Sequence, residues 1–326
     1  MLPTLDFTVV ICAYTEDRWL ELTTALASLR AQTAPARELI VVIDHNPRLL
    51  ERAQAAFPEA QVIANQHGRG LSGARNTGVL AARGEIIAFM DEDARADPDW
   101  LAQLARGYTR PEILGVGGEI EPGWQAGRPA WFPPEFDWVV GCTYRGMPAT
   151  AAGVRNLIGC NMSVRRAVIE AVGGFREGLG RNGTTPLGCE ETELCIRAQQ
   201  HWPAGQFLYD PQARVQHSVP ASRAQWSYFL ARCWAEGRSK ALVARWVGQA
   251  DALAAEQAYT RRTLPAGVLA GVKALVLRGE AAGAQRAGAI LAGLAVTTLG
   301  YVSGWVVVAA GARQPARAAP HAAGGS

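Results

Sequence analysis

Glu85-Ile86-Ile87-Ala88-Phe89-Met90-Asp91-Glu92-Asp93 passes from an apolar run straight into three consecutive carboxylates. An apolar run of this length reads as a strand buried on both faces, as in a parallel sheet. The C-terminal end of a parallel strand faces the crevice where open α/β sheets bind ligands. Three adjacent anions repel one another unless positive charge sits among them, and a hard divalent cation with oxygen ligands is a natural partner. The competing reading is a solvated acidic turn, with Asp97 and Asp99 close behind.

The chain before this stretch alternates in the same manner. Val9–Cys12, Glu38–Ile43 and Gln61–Ala64 read as strands, and Leu20–Ala31, Leu49–Phe57 and Ser72–Arg83 as helices. Strands alternating with helices predict an α/β fold, a doubly wound, mainly parallel sheet with flanking helices. The first strand runs into Ala13-Tyr14-Thr15-Glu16-Asp17, without the glycine fingerprint of a dinucleotide site or a P-loop. Asp44 ends the second strand and is placed either to accept hydrogen bonds from a base or ribose, or to act as a turn residue before Asn46-Pro47. Gly73-Ala74-Arg75-Asn76-Thr77-Gly78 opens the next helix, where Arg75 meets a phosphate or a carboxylate, or else solvent.

Further on, residues 116–160 read as loop and short strand with an aromatic wall, and 163–200 as a return to helix punctuated by glycines that include Gly173, Gly174 and Gly183. Gly188-Cys189-Glu190-Glu191-Thr192-Glu193 begins a helix, where acidic residues either match the helix dipole or present a general base. His217 and Trp226 are individually compatible with packing.

The 326 residues are 49% apolar and 19% charged, which excludes a disordered chain. A net charge of +3 gives no basic footprint for nucleic acid. Thirty of the 32 basic residues are arginine, an excess that reads as codon bias of a GC-rich genome. Six scattered cysteines without C-x-x-C spacing fit idle thiols in a reducing compartment. Asp6 before a short apolar run does not fit a signal peptide. Ala287–Gly311 holds 25 residues without a charge. As a helix it would be ~37 Å long, enough to cross a ~30 Å hydrocarbon core. The expected division is therefore a catalytic part, 1–263, and a membrane-anchoring part, 264–326. The anchor comprises an interfacial or hairpin helix 264–277, a span 287–311 and a polar tail 312–326; a core helix of a soluble domain is the alternative. The anchoring part carries five basic and one acidic side chain, which suits anionic headgroups.

Taken in order, Val9–Tyr14, Asp44, Gly73–Gly78, Asp91-Glu92-Asp93 and Glu190-Glu191 resemble the inverting glycosyltransferases of family 2, with the GT-A fold, over residues 8 to about 230. The resemblance implies a nucleoside-diphosphate sugar donor held by Ala13, Tyr14, Glu16, Asp44, Arg75 and Asp91. It implies a divalent cation, Mg²⁺ or Mn²⁺, at Asp93, Asp91 and His217, the histidine standing near the diphosphate. The family's Glu-Asp pair supplies the base; here the second position is Glu191, one methylene longer, which leaves the base open between Glu191 and Glu190. Arg223, Trp226 and Trp124 are candidates for the acceptor or diphosphate side. The stretches Tyr14–Arg18 and Val42–Pro47 are similar to the polyprenyl-linked sugar branch. That similarity, with the apolar tail, implies a lipid-linked glycan or polyprenyl phosphate as acceptor and a catalytic part on the cytoplasmic face of the membrane. A sugar-nucleotide nucleotidyltransferase and a non-catalytic GT-A-like membrane partner are the competing readings.

Overall fold

The computed structural model describes residues 5–181 and 187–311; the polar tail 312–326 and Gly183 lie outside the described residues. Phe7–Ala13 (β1), Glu38–Ile43 (β2), Gln61–Ala64 (β3) and Ile86–Asp91 (β4) pair in parallel in the order β3-β2-β1-β4. The side chains of β1, β2 and β4 are mostly buried because Trp19–Arg30 (α1), Pro47–Ala56 (α2) and Leu71–Ala81 (α3) connect the strands across the sheet faces, while β3 at the edge leaves Gln61 and Ala64 exposed. Leu22, Ala25, Leu26 and Leu29 form the buried stripe of α1, as their spacing predicts. Asn46 caps α2, its Oδ1 accepting from the Leu49 N–H at 3.0 Å, and Pro47 follows at the first helical position.

Beyond β4 the sheet becomes mixed. Ala94–Ala96 (β5) leads to Trp100–Gly107 (α4), then Ile113–Trp124 (β6), Ala152–Val154 (β7), Met162–Arg165 (β8) and Arg166–Ala171 (α5). Glu190–His201 (α6) precedes the 14-residue strand Gln206–Val219 (β9). The order continues β4-β8-β6-β9-β5, with β7 also on β9. β8 is antiparallel to β4 and β6, β9 is parallel to β6, and β5 and β7 are antiparallel to β9.

This half departs from the sequence expectation. Residues 116–124 belong to one long strand, 113–124, rather than to loop and short strand, and 163–165 are strand rather than helix. Glycine disguises β6: a Cβ on Gly118 would lie 1.8 Å from the Ala213 carbonyl oxygen, so the close backbone approach excludes any side chain. Pro211 disguises β9, yet it falls in a bulge where the register steps from Gly118–Asp210 to Glu119–Arg214.

The C-terminal helices are Trp226–Val247 (α7), Gln249–Ala252 (α8), Ala254–Ala258 (α9), Leu264–Arg278 (α10) and Ala281–Gly311 (α11). α10 and α11 form an antiparallel hairpin turned at Gly279, whose φ is +67°. α11 runs along α7 so closely that a Cβ on Gly300 would meet the Trp234 carbonyl oxygen at 2.3 Å. Residues 264–306 are thus packed onto the rest of the chain along one face. On the other face Leu269, Val276, Leu277, Leu291, Leu299, Val302 and Val306 are exposed. By length and composition Ala281–Val306 is long and apolar enough to cross a membrane, and 28% of its most apolar window is buried.

Candidate active site

Between β1 and β4 the strand order reverses, and ligands gather beyond the strand ends at such a point. Ala13 and Asp91 end these two strands, and a cavity of about 840 Å³ opens there. It extends from Asp44 past Asp91 and Glu191 to Leu264, Leu294 and Thr298 of the C-terminal helices.

At one end, Asp44 is locked by the protein. Its Oδ1 accepts from Asn65 Nδ2 at 2.7 Å and its Oδ2 from the Gly70 N–H at 2.9 Å. His45 next to it holds a left-handed backbone, φ +52°, uncommon for a side-chain-bearing residue. Tyr14 lines the mouth and is half exposed. Glu16 is exposed in the short turn Glu16–Arg18 and lies off the cavity wall, whereas Arg18 of the same turn lies on it.

The three carboxylates after β4 part company. Asp91 faces the cavity with its side chain 30% exposed. Glu92 accepts from Arg18 Nη1 at 2.6 Å; burial and then the neighbouring Asp93 charge push its pKa up to about 7. Asp93 is buried against His217, whose Nε2 lies 3.0 Å from Oδ1, and against Arg18 and Arg223, each 3.2 Å from Oδ2. Burial works to raise its carboxyl, but these groups, His217 foremost, hold it far below the usual range. β9 makes this possible, because His217 pairs in register with Ala94 and the Ser218 N–H donates to the Asp93 carbonyl. The positive charge expected at this acidic run is therefore supplied in part by Arg18, which enters the sequence reading only as the end of the stretch Tyr14–Arg18 and not as a partner of these carboxylates.

Arg75, on α3, is buried and reaches two elements. Nη1 donates to Glu190 Oε1 at 2.9 Å and Nη2 lies 3.5 Å from Asp91 Oδ1. Glu190 and Glu191 start α6 immediately after Cys189, which turns the chain with φ +69°. Glu190 is buried under Arg75, while Glu191 is half-buried at the cavity wall. Burial first, then the Glu190 charge, push the Glu191 carboxyl up to about 8, against the pull of Arg75. A carboxyl tuned this high is a strong base once ionised, as it becomes when the pH rises through about 8.

Trp124, Trp226 and Arg223 lie off the cavity wall. Trp124 packs edge-on to Phe132, and Trp226 stacks on Phe229 with centroids 5.3 Å apart, both in an aromatic cluster beside α7. Trp138 and Tyr144 from the aromatic wall do line the cavity.

Asp91, Cys160 and His217 each offer a ligand atom within 4.8 Å of the others. The Asp91 carboxylate would suit a hard divalent cation, and a neutral His217 imidazole could join it as a ligand. The Cys160 thiol is soft, and burial raises it well above its usual range. Asp93 already holds His217, as partners of metal-bound imidazoles do. The residues present thus fit a divalent cation with Asp91 and His217 as ligands, more readily than with Asp93.

A sequence profile of Glycosyl transferase family 2 matches residues 8–173. Over 304 residues the chain is 33% identical to "Glucosyl-dolichyl phosphate glucuronosyltransferase" of Haloferax volcanii, covering 92% of this chain and 96% of that protein. The mannosyltransferase PcManGT from Pyrobaculum calidifontis, solved with GDP-Man and Mn²⁺, superposes with a TM-score of 0.56 at 19% identity, over 90% of this chain and 87% of that one. GalNAc-T7, solved with UDP, GalNAc and Mn²⁺, gives a TM-score of 0.52 at 19% identity, over 71% of this chain and 47% of that one. At such identity these two structures speak to the fold alone.

Proposed function

The chain belongs to glycosyl transferase family 2, and from that premise we propose that it moves a sugar, with inversion, from a nucleoside-diphosphate sugar to a lipid-phosphate-linked acceptor at a membrane. The observation that carries this reading is the single cavity running from the strand ends at Asp44 and Asp91, past Glu191, to the apolar residues Leu264 and Leu294. The name of the Haloferax relative, with its dolichyl phosphate, supports the acceptor class.

In this reading the nucleoside lies toward Tyr14 and Asp44, and the diphosphate lies by Asp91 and Arg75. Glu191 removes the proton from the acceptor hydroxyl. The freed oxygen bonds to the anomeric carbon from the face opposite the diphosphate, whose bond to that carbon breaks with its electron pair. Arg75, preorganised by Glu190 and Asp91, stabilises the charge that develops on the leaving group. A divalent cation held by Asp91 and His217 would neutralise diphosphate charge when bound. Asp93 positions His217, and Glu190 positions Arg75.

Residues 1–263 form the catalytic part and 264–326 the anchor, the latter lending Leu264, Leu294 and Thr298 to the cavity wall. The exposed apolar face of α10 and α11 meets the bilayer, on the cytoplasmic side where sugar nucleotides are made. The test is incubation of the full chain with UDP- and GDP-sugars, Mn²⁺ and short polyprenyl-phosphate-linked sugars. Acceptor-dependent release of nucleoside diphosphate with sugar transfer is expected; release of pyrophosphate, or the same release without acceptor, would overturn the reading.

A further inference from the structure

Between the reaction centre and the apolar end of the cavity lies a second charged cluster, formed by Arg155 after β7, Glu236 and Lys240 on α7, and Glu256 on α9. Arg155 grips Glu256 with both ends of its fork, at 2.6 and 3.2 Å, and Lys240 donates to the same carboxylate. Lys240 also lies 3.2 Å from Glu236, which accepts from Cys189 Sγ at 3.3 Å, next to Glu190 in the chain. Glu236 is close enough to add to the upward pressure on Glu191. The cluster is therefore continuous with the catalytic pair, and each of its four side chains faces the cavity at 14–21% exposure.

Two cations on one carboxylate, with Glu236 balancing the rest of the Lys240 charge, make a site for a singly charged anion with two free oxygens. The phosphodiester that joins a lipid to a sugar offers one negative charge and two free oxygens, as the Glu256 carboxylate does, and the planar Arg155 fork fits it bidentately. Lys240 adds a mobile point charge with three donors; it is one of only two lysines among the 32 basic residues. The neighbours on the far side are apolar or hydroxylic, Leu253, Leu264, Leu294 and Thr298, and lead to the exposed face of α10 and α11. Glu256 itself sits on a five-residue helix, in a segment bounded by Gly248, φ +93°, and the π-helical turn Tyr259–Thr263. Such a segment can withdraw without unravelling a long helix.

We propose that Arg155 and Lys240 form the subsite for the phosphate of the lipid acceptor, and that Glu256 occupies it as an internal stand-in until the acceptor displaces it. The choice of ligand rests on the acceptor reading above. The phosphate binds where the cations are, its alkyl chain leaves along Leu264, Leu294 and Thr298, and its sugar lies toward Glu191. Because Glu256 competes for the same cations, its removal strengthens acceptor binding rather than weakening it. A purely structural ion pair would behave in the opposite way.

The test measures binding to the detergent-solubilised full chain by calorimetry, with citronellyl phosphate, citronellol and inorganic phosphate as probes. Citronellyl phosphate is expected to bind more tightly than either of the others. Lys240→Met should weaken it by about tenfold or more, Lys240→Arg should retain most of the affinity, and Glu256→Gln should tighten it several-fold. Stabilisation by nucleoside diphosphate with Mn²⁺ should stay the same in all three. Equal binding of inorganic and citronellyl phosphate would overturn the lipid assignment, and unchanged or weakened binding in Glu256→Gln would overturn the stand-in. Should Lys240→Met fail to fold, Lys240→Arg and Glu256→Gln still decide the matter. Sugar transfer with an acceptor KM indifferent to these variants would sink the subsite while leaving the proposed function intact. Variant-sensitive binding without any transfer would do the reverse.

Discussion

Arg75 Nη1 lies 2.9 Å from Glu190 Oε1, and both side chains are buried. This pair joins α3, which precedes the acidic strand, to the start of α6, so it fixes the distance between the two halves of the site. Removing one partner of a buried pair leaves an uncompensated charge at a cost of about 3–5 kcal/mol. Arg75→Ala should therefore lower the melting temperature substantially and abolish turnover. Replacing both residues, as in Arg75→Met with Glu190→Met, should recover much of the stability and none of the activity. A melting curve of the double variant no better than the single would show that the pair is not coupled.

Glu191→Gln removes the proton acceptor while leaving Arg75 and Asp91 in place. Loss of a positioned general base costs about 10²–10⁴-fold in rate. Transfer should fall by that amount while nucleoside diphosphate with Mn²⁺ stabilises the variant as it does the native chain. Glu190→Gln with a larger loss of transfer, at equal folding, would move the base to Glu190.

The raised Glu191 carboxyl gives opposite signs for activity and stability. Only the ionised form accepts a proton, so kcat/KM should rise with pH and level off above about 8. Folding, however, favours the protonated form, because the folded pKa exceeds the ordinary 4.5. That contribution is complete below about 4.5 and is lost as pH rises through 8. Glu92, raised to about 7, acts in the same direction. The melting temperature should fall between pH 6 and 9, and less steeply in Glu191→Gln. A flat profile in the native chain would contradict the burial of these carboxyls.

The parallel half of the sheet was legible because its strands are uninterrupted apolar runs. Glu38–Ile43 and Gln61–Ala64 fold with the bounds their composition predicts. The mixed half was not, because its signal is tertiary. β6 carries glycines where the Ala213 backbone approaches, and β9 carries Pro211 where the register breaks, so both contradict local strand propensity. The site divides similarly. Asp91, Asp93, Arg75 and the Glu190-Glu191 pair stand at strand or helix ends, which sequence can locate. Arg18, Cys160 and the Arg155–Lys240–Glu256 cluster become neighbours only through the crossing of distant elements, and no local pattern marks them.

Asp91 and Asp93 should respond differently to substitution, although the motif treats them alike. Asp91→Asn removes a cavity-facing carboxylate and should abolish the effect of Mn²⁺ on stabilisation by nucleoside diphosphate. Asp93→Asn leaves His217 without its carboxylate and should weaken Mn²⁺ by about 10–100-fold, as loss of an orienting partner does. It should also lower the melting temperature, because Arg18 and Arg223 lose a shared anion. Titrating Mn²⁺ after chelator treatment separates the two. Equal loss of Mn²⁺ response in both, with no change in melting, would put Asp93 among the direct ligands.

α11 shows two faces with different demands, and substitution on each should break a different property. The buried face meets α7 through Gly300, where a Cβ would strike the Trp234 carbonyl oxygen, so Gly300→Leu must push the helices apart and lower the melting temperature. The outer face carries Leu299 and Val302, both exposed, so Leu299→Glu with Val302→Glu should leave the melting temperature in detergent nearly unchanged. Membrane attachment should respond in the reverse order. Burying a Leu or Val side chain in an apolar environment is worth about 1.5–3 kcal/mol, so the paired glutamates should reduce co-sedimentation with anionic vesicles by at least about a hundredfold in partition coefficient. The basic side chains Lys273, Arg278 and Arg286 lie in the same hairpin, and their attraction to anionic headgroups should make attachment weaken with salt. Native protein that stays in the supernatant with vesicles at low salt would make the outer face a surface for another partner, and the anchoring role would fall.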